Sequence, residues 1–141
     1  MKNPIDYAAS ELLKEKLNEL EAYLEADVIV YYGDIFDSVE VEMKKIVEQL
    51  QEQEQPNKIC YIILTTHGGS LNPVNRMVTI LRHFYEEVNF IIPNFAYSAG
   101  TIFCMSGDNI LMNYFSALGP VDPQVQNNDG NLVAALGYLD T

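Results

Sequence analysis

Short, mostly apolar runs alternate along the chain with longer segments in which apolar residues recur every three or four positions. The apolar runs are typical of buried strands, and they comprise residues 27–32, 58–64, 88–92 and 109–112. The periodic segments are typical of amphipathic helices, and they comprise residues 10–26, 39–54, 72–87 and 101–105. Strands that alternate with helices indicate βαβ units and a parallel sheet, so the pattern predicts the α/β fold class.

The ends of these segments give a provisional division of the chain. Ser10 is the expected N-cap of the first helix, because a serine side chain can accept a hydrogen bond from the first helical turn. The segment 132–139 could begin either a helix or a strand. We therefore expect an N-terminal amphipathic helix within residues 1–26 and an α/β domain in residues 27–141.

Charge is unevenly distributed over the 141 residues, which have a formal net charge of −12. Residues 1–55 contain 14 of the 20 Asp and Glu residues, and no Lys or Arg follows Arg82. Such a surface repels phosphate groups, so nucleic acid is not an expected partner.

Other features of composition bear on the cellular compartment. No apolar run is long enough to span a bilayer, and the first six residues lack the apolar core of a signal peptide. Cys60 and Cys104 both lie in apolar runs, which favours reduced thiols in a core. From these observations we expect a cytoplasmic protein without a membrane span.

A serine occupies the turn that follows the third strand. Ser98 lies in Ala-Tyr-Ser-Ala-Gly, between the apolar run 88–92 and the helix at 101–105. Serine nucleophiles are presented in this way, at a strand-to-helix turn, and Ala-x-Ser-x-Gly is close to the Gly-x-Ser-x-Gly elbow of hydrolases. Small residues around a serine also occur where a helix packs tightly on a sheet, so the turn alone supports both interpretations.

A glycine pair follows the second strand. Gly68 and Gly69 precede the helix that leads to the third strand, and a right-handed crossover brings the ends of both strands to one edge of the sheet. The pair can therefore lie close to Ser98. A turn that tolerates positive φ can direct backbone N–H groups outward, and with the N–H of Ala99 they would form an oxyanion hole for acyl transfer. The pair is also compatible with an ordinary strand-to-helix turn.

Three segments together resemble a known group of proteins. They are Leu-Thr-Thr-His-Gly-Gly-Ser at 64–70, Ala-Tyr-Ser-Ala-Gly-Thr at 96–101 and Ser-Ala-Leu-Gly-Pro-Val-Asp-Pro-Gln at 116–124. Their order and spacing resemble the serine dehydrogenase proteinase family, which belongs with the Clp protease proteolytic subunits and signal peptide peptidase A. The resemblance extends from about residue 28 to 124, and His67 stands where the family has Pro.

The resemblance implies a Clp/crotonase-like ββα spiral with a mainly parallel sheet flanked by helices. It implies a serine peptidase in which Ser98 is the nucleophile and backbone N–H groups of Gly68 or Gly69 and of Ala99 form the oxyanion hole. The substrate would be a peptide or protein that lies extended near Gly69 and Ser70. A homo-oligomer is also implied, with no cofactor and no metal.

The general base is the part of the family pattern that this chain lacks. Clp-type subunits have a His about twenty-five residues after the serine, where this chain has Asp122, and signal peptide peptidase A types use a Lys. Here no Lys follows Lys58 and no His follows His83. The chain is therefore expected to be C-terminally incomplete, or to use His67 or Asp122 as an unusual base, or to be an inactive scaffold.

Two further enzyme classes share a motif or the expected fold with this chain. The His-Gly-Gly segment at 67–69 is similar to the oxyanion motif of α/β-hydrolase esterases, but those enzymes need a His after the nucleophile. A crotonase-like acyl-CoA enzyme would share the fold, but the scarcity of basic residues argues against a site for CoA phosphates. The main alternative to the peptidase is a catalytically inactive, oligomerising, peptide-binding module.

Overall fold

The structure is a computed structural model of the chain, and it describes residues 3–121 and 124–134. The helices are α1 (Pro4–Leu24), α2 (Val39–Gln51), α3 (Leu71–Phe84) and α4 (Ala99–Met105). The strands are β1 (Asp27–Tyr32), β2 (Ile59–Thr65), β3 (Glu87–Ile92), β4 (Phe95–Ala96), β5 (Asn109–Met112), β6 (Ala117–Leu118), β7 (Gln124–Gln126) and β8 (Leu132–Ala134).

The main sheet contains four parallel strands in the order β1-β2-β3-β5. Helices α2 and α3 make the crossovers between successive strands, and α4 leads from β4 to β5. Two small pairs accompany the sheet, namely parallel β4–β6 and the antiparallel hairpin β7–β8. The predicted α/β class with a parallel sheet flanked by helices is confirmed.

One face of the sheet carries the core. Alternate strand residues such as Ile62, Leu64 and Phe90 point toward α2, α3 and α4, and they form one cluster of buried side chains with those helices. Parallel strands that are buried in this way are expected to be rich in aliphatic residues, and these strands are.

The other face is only partly covered among the described residues. We call it the open face, and it consists of the side chains that alternate with those of the core, of which Val28 and Asn89 are buried. Its apolar members lie outside the core cluster, and they are Val28, Val30, Tyr32, Tyr61, Ile63, Ile91 and Leu111.

The first helix begins earlier than the sequence pattern predicts. Helix α1 starts at Pro4, and the side chain of Asn3 accepts a hydrogen bond from the N–H of Ile5 at 2.9 Å. Proline is favoured at the first helical position because it has no N–H to satisfy. Ser10 therefore lies inside the helix, and its prediction as the N-cap was wrong.

Three short strands were missed. Strands β4 and β6 have two residues each and β7 has three, which is too short for an alternating pattern to be recognised. Within 132–139, which was expected to begin a helix or a strand, the described residues 132–134 form a strand. None of the helices in the described ranges is long and apolar enough to cross a membrane.

A buried carboxylate is hydrogen-bonded to several segments of the chain at the lower edge of the sheet, where the strands begin. Asp27 is only 2% exposed. It accepts hydrogen bonds from the Tyr85 hydroxyl at 2.5 Å, the Asn57 amide at 2.8 Å and the Gln51 amide at 3.2 Å. Burial, and then the hydrogen bond to Asp27, raise the pKa of Tyr85 above its ordinary value, so that its hydroxyl stays a donor.

The two cysteines are consistent with the predicted core thiols. Both are free and buried. Burial raises the pKa of Cys60 above its ordinary value and that of Cys104 to about 12. Since the thiolate is the reactive form, both thiols are protected from reagents in the folded protein.

Removal of one donor from the buried carboxylate should destabilise the fold. Tyr85→Phe deletes the hydroxyl that faces Asp27 and should lower the free energy of unfolding by about 1–3 kcal/mol, because a buried charge loses a partner. Urea unfolding would measure the loss. Tyr23→Phe is the matched control, because Tyr23 is 84% exposed and its substitution should change stability little. Equal effects for the two variants would contradict a structural role for the buried contact.

Candidate active site

A glycine turn follows β2 at the upper edge of the sheet. Gly68 and Gly69 have φ of 106° and 143°, in the region that side chains rarely adopt. Thr66 pairs with Ala96 of β4, and its hydroxyl oxygen accepts a hydrogen bond from the N–H of Gly68 at 3.0 Å. The turn is therefore fixed to the segment that leads into Ser98.

Ser98 lies between β4 and α4 in a strained conformation. Its φ of 53° and ψ of −123° are unusual for a residue with a side chain, and strain of this kind is about 1–3 kcal/mol. The backbone around it is anchored because the Thr101 hydroxyl donates to the carbonyl oxygen of Ala96 at 2.8 Å. Ser98 itself is exposed. A strained serine at a strand-to-helix turn is the geometry of a nucleophile elbow.

The glycine turn and the serine turn are in contact. A Cβ atom placed on Gly68 would lie 2.7 Å from Cβ of Ser98, 2.8 Å from the carbonyl oxygen of Tyr97 and 3.3 Å from the nitrogen of Ala99. Only glycine allows this approach. The structure thus brings Gly68 and Ser98 together across about thirty residues of chain.

Two backbone donors border this contact. Among the described residues, the N–H groups of Gly69 and Ala99 have no hydrogen-bond partner, whereas the N–H of Gly68 is bonded to Thr66. Gly69 is exposed, and Ala99 follows Ser98 directly. The arrangement can offer N–H groups to a negatively charged oxygen formed beside the serine.

His67 packs on aromatic side chains and makes no hydrogen bond to Ser98. Its ring centroid lies 4.7 Å from that of Phe95, which in turn stacks on Tyr97 at 4.8 Å. Its Nδ1 lies 4.0 Å from Oδ1 of Asp34, and both side chains are 74% exposed. The structure therefore places His67 beside the site, with its ring in contact with Phe95 rather than hydrogen-bonded to Ser98.

The other predicted base falls outside the described residues. Asp122 is one of the two positions between 121 and 124 for which no geometry is given. In the described part of the chain, no titratable side chain is hydrogen-bonded to Ser98. No group of three or more His, Cys, Asp or Glu side chains within the described ranges could hold a metal ion.

Sequence reasoning missed the loop after β1. The N–H of Ile35 donates to the carbonyl oxygen of Gly68, and the N–H of Ser70 donates to that of Ile35, each at 2.8 Å. The loop thus pairs with one side of the glycine turn through a parallel β-bridge between Ile35 and Gly69. The sequence indicated only that Gly33-Asp34 ends a parallel strand at the edge where ligands bind in open α/β sheets, and not the path of the loop that follows.

Comparison with known proteins agrees with this geometry. A model of a family described as ClpP-like SDH-type serine proteinase matches residues 24–136, which confirms the family predicted from the three motifs. Two uncharacterized proteins of Methanocaldococcus jannaschii are 34% and 31% identical to the chain over 64 residues. Each match covers 45% of this chain and only 22% of the archaeal relative.

Solved structures show the same fold. The 1510-N membrane-bound stomatin-specific protease superposes with a TM-score of 0.64 at 17% identity, over 79% of this chain and 55% of that one. ClpP1 from Listeria monocytogenes superposes with a TM-score of 0.59 at 16% identity, over 77% of this chain and 62% of that one. The chain therefore has the fold of ClpP-like proteins and spans little more than half the length of these structures.

The packing of the β1 loop on the glycine turn should make Gly69 hard to replace. A Cβ on Gly69 would lie 1.9 Å from the carbonyl oxygen of Ile35, whereas a Cβ on Gly33 would meet nothing within 4 Å. Both glycines have positive φ, so Gly33→Ala reports backbone strain alone. Gly69→Ala should lower the free energy of unfolding by about 1–3 kcal/mol more than Gly33→Ala, as measured with urea. Equal losses would show that the loop does not pack on the turn as described.

Proposed function

The chain belongs to the family of ClpP-like SDH-type serine proteinases, and we propose that it hydrolyses peptide bonds with Ser98 as the nucleophile. The observation that carries the proposal is the strained φ of Ser98, 53°, in a turn that packs directly on the glycine pair. Strain at an exposed serine has no evident use in packing. Such strain at an exposed serine beside N–H groups without a partner among the described residues supports a catalytic role.

The proposed reaction proceeds through an acyl-enzyme. Ser98 Oγ attacks the carbonyl carbon of the substrate, and the proton of its hydroxyl passes to a base. The oxyanion would accept hydrogen bonds from the N–H of Ala99 and from the glycine turn. Of the two glycines, Gly69 has the N–H without a hydrogen-bond partner in the described part of the chain, and Gly68 makes the close contact with Ser98. Collapse of the intermediate expels the amine, which takes up the proton held by the base, and water then attacks the acyl-enzyme to release the acid and restore the serine hydroxyl.

The substrate we propose is an extended peptide beside the glycine turn. One side of the segment 68–70 is bonded to Ile35, while the N–H and C=O of Gly69 have no partner in the described part of the chain. An unpaired backbone edge can bind a peptide by adding it as a strand. We also propose a homo-oligomer and a cytoplasmic location, on the strength of the family resemblance and the sequence.

An inactive peptide-binding scaffold is the second candidate function. The observation in its favour is that no titratable side chain among residues 3–121 and 124–134 is hydrogen-bonded to Ser98. A serine without a base is a poor nucleophile. Such a scaffold would keep the fold and the unpaired backbone edge at Gly69, and it would lack only the hydrolysis of the peptide bond.

A fluorophosphonate probe should separate the two functions. The probe forms a bond between phosphorus and the oxygen of an activated serine, with loss of fluoride. We expect labelling of the wild type and none of Ser98→Ala, read by intact-protein mass spectrometry. Ser38→Ala is the matched control, because Ser38 is also exposed, also precedes a helix and also has a positive φ, of 82°. An unlabelled wild type with an intact circular dichroism spectrum would favour the scaffold, and labelling of Ser98→Ala would exclude Ser98 as nucleophile.

Substitution of His67 should leave this chemistry in place. Its ring is engaged with Phe95 and Asp34, so we expect His67→Ala to be labelled within about two-fold of the wild-type rate at neutral pH. The measurement is the second-order rate of probe labelling, with Ser98→Ala as the blank. A decrease of ten-fold or more, restored at high pH, would identify His67 as the base.

A further inference from the structure

Three aromatic rings lie together beside the serine turn, and the proposed reaction uses none of them. The rings of Phe95 and Tyr97 are stacked, with centroids 4.8 Å apart and planes inclined by 17°. The His67 ring completes what we call the ring cluster, at 4.7 Å from Phe95 and 6.2 Å from Tyr97. Tyr97 directly precedes Ser98, and His67 directly precedes Gly68. The ring cluster therefore adjoins both turns of the candidate active site.

The ring cluster is held in place and is still accessible. A Cβ on Gly119 would lie 2.5 Å from Cδ1 of Tyr97, so the Tyr97 ring rests directly on the backbone of Gly119. Phe95 and Tyr97 are half-buried, and His67 is exposed. Rings that are already fixed by packing lose little freedom when a ligand contacts them, which favours binding.

A carboxylate without a cationic partner lies next to the ring cluster. Oδ1 of Asp34 is 4.0 Å from Nδ1 of His67, and 74% of each side chain is exposed. None of the ion pairs among the described residues joins Asp34 to a Lys or Arg side chain. The segments 33–37, 65–70 and 95–101 border the site and contain no Lys or Arg. The negative charge of Asp34 is therefore available to a cation from outside the chain.

The backbone on both sides of Asp34 is fixed to β2 and to the glycine turn. The N–H of Gly33 donates to the last carbonyl oxygen of β2 at 3.1 Å, and the N–H of Ile35 donates to that of Gly68 at 2.8 Å. The carbonyl oxygen of Asp34 itself accepts a hydrogen bond from the Tyr31 hydroxyl at 2.8 Å. The place of this carboxylate beside the site is therefore set by the fold.

We propose that the ring cluster and Asp34 form a subsite for a cationic side chain, Arg or Lys, of the peptide substrate. A cation is attracted to the face of an aromatic ring, and a carboxylate beside the ring adds an ion pair. The apolar stem of the side chain would lie on the rings, with its charge near Asp34. The inference rests on the proposed function, in which an extended peptide binds at Gly69, and it names the substrate class of that site.

The geometry of the glycine turn permits this contact. One edge of the segment 68–70 is bonded to Ile35, and the peptide would occupy the other edge, where the N–H and C=O of Gly69 have no partner in the described part of the chain. Two strand spacings, about 10 Å, would separate the peptide from the loop that carries Asp34. The residues between them are Gly68 and Gly69, which have no side chains to block the path. The long stems of Lys and Arg suit this distance, whereas a short side chain would not reach.

Charge favours a cationic side chain over other occupants of the subsite. An acidic side chain would meet the Asp34 carboxylate as a like charge, and the net charge of −12 opposes an acidic peptide during its approach. An apolar side chain would cover the rings and leave the carboxylate without a partner. Only a long cationic side chain uses both parts of the subsite.

Peptide binding to the Ser98→Ala protein tests the subsite without hydrolysis. Hexapeptides of alanine, labelled with an uncharged dye and amidated, carry one Arg at each position in turn. Fluorescence anisotropy compares each with the same peptide containing citrulline, the uncharged isostere of Arg. We expect a preference for Arg of about five-fold or more at one or two positions, above the general attraction to an acidic protein at the others. Equal ratios at every position would overturn the subsite.

Asp34→Asn and Asp37→Asn, each in the Ser98→Ala protein, are a matched pair of variants. Each removes one negative charge from the same exposed loop before α2. We expect Asp34→Asn to reduce the preference for Arg over citrulline to within about two-fold, and Asp37→Asn to retain most of it. Equal losses in the two variants would show a general attraction to the acidic surface, and they would overturn the role of Asp34.

The rings have a matched pair of variants as well. Phe95 and Phe84 are both half-buried, and each lies 4.7 Å from a histidine ring, which for Phe84 is that of His83 at the end of α3. We expect Phe95→Leu to weaken binding of the Arg peptide about two- to five-fold, and Phe84→Leu to leave it unchanged. Tighter binding of a Leu or Phe peptide than of the Arg peptide at the same position would overturn the cationic subsite.

The outcomes separate this inference from the proposed function. Equal binding of Arg and citrulline peptides, with a wild type that the fluorophosphonate probe labels, would overturn the subsite and leave Ser98 as the nucleophile. An unlabelled wild type, with an Arg preference that Asp34→Asn removes, would support the subsite on an inactive scaffold. Absence of binding by every peptide would overturn the subsite, and the labelling would still report on Ser98.

Discussion

The close approach of Gly68 to Ser98 is the constraint on which the rest of the site depends. A side chain at position 68 would overlap Cβ of Ser98 and the carbonyl oxygen of Tyr97, and the turn must also adopt positive φ. Both demands are met by glycine alone. The contact joins the ends of β2 and β3, so it exists only because these strands are adjacent, parallel and in the register that pairs Ile59 with Glu87. Sheet topology, turn composition and the strained serine are therefore parts of one arrangement.

Much of this arrangement could be predicted from the sequence because it follows from the order of apolar segments and motifs along the chain. Apolar runs gave the four main strands, the crossover rule gave their common edge, and the motif around Ser98 gave the elbow. Contacts that depend on a single loop conformation could not be predicted. The bonds from Ile35 to the glycine turn require a particular path after Gly33, which residue spacing does not encode. The early start of α1 was also missed, and its first apolar residues, Ile5 and Tyr7, are 74% and 62% exposed.

The side-chain direction of His67 could not be predicted from the sequence either. Its position beside the glycine pair suggests proximity to Ser98, and its ring centroid lies 6.2 Å from that of Tyr97, the residue before Ser98. Its ring packs on Phe95, with centroids 4.7 Å apart, and its Nδ1 lies 4.0 Å from Oδ1 of Asp34, so its neighbours come from two other segments of the chain. Contacts between separate segments are a tertiary property. The sequence predicts at which turn such a histidine lies, whereas the packing of other segments determines which groups its ring nitrogen atoms face.

Two features of the molecule depart from ordinary protein geometry, and both involve the same strands. Ser98 has a strained backbone, and one face of the sheet is only partly covered among the described residues. Strands β1, β2 and β3 form most of that open face, and their upper ends continue into the loop at Ile35, the glycine turn and the serine turn. The pairing of these strands therefore fixes how far apart the three turns lie, and a displacement of β2 relative to β3 would move the glycine turn away from Ser98.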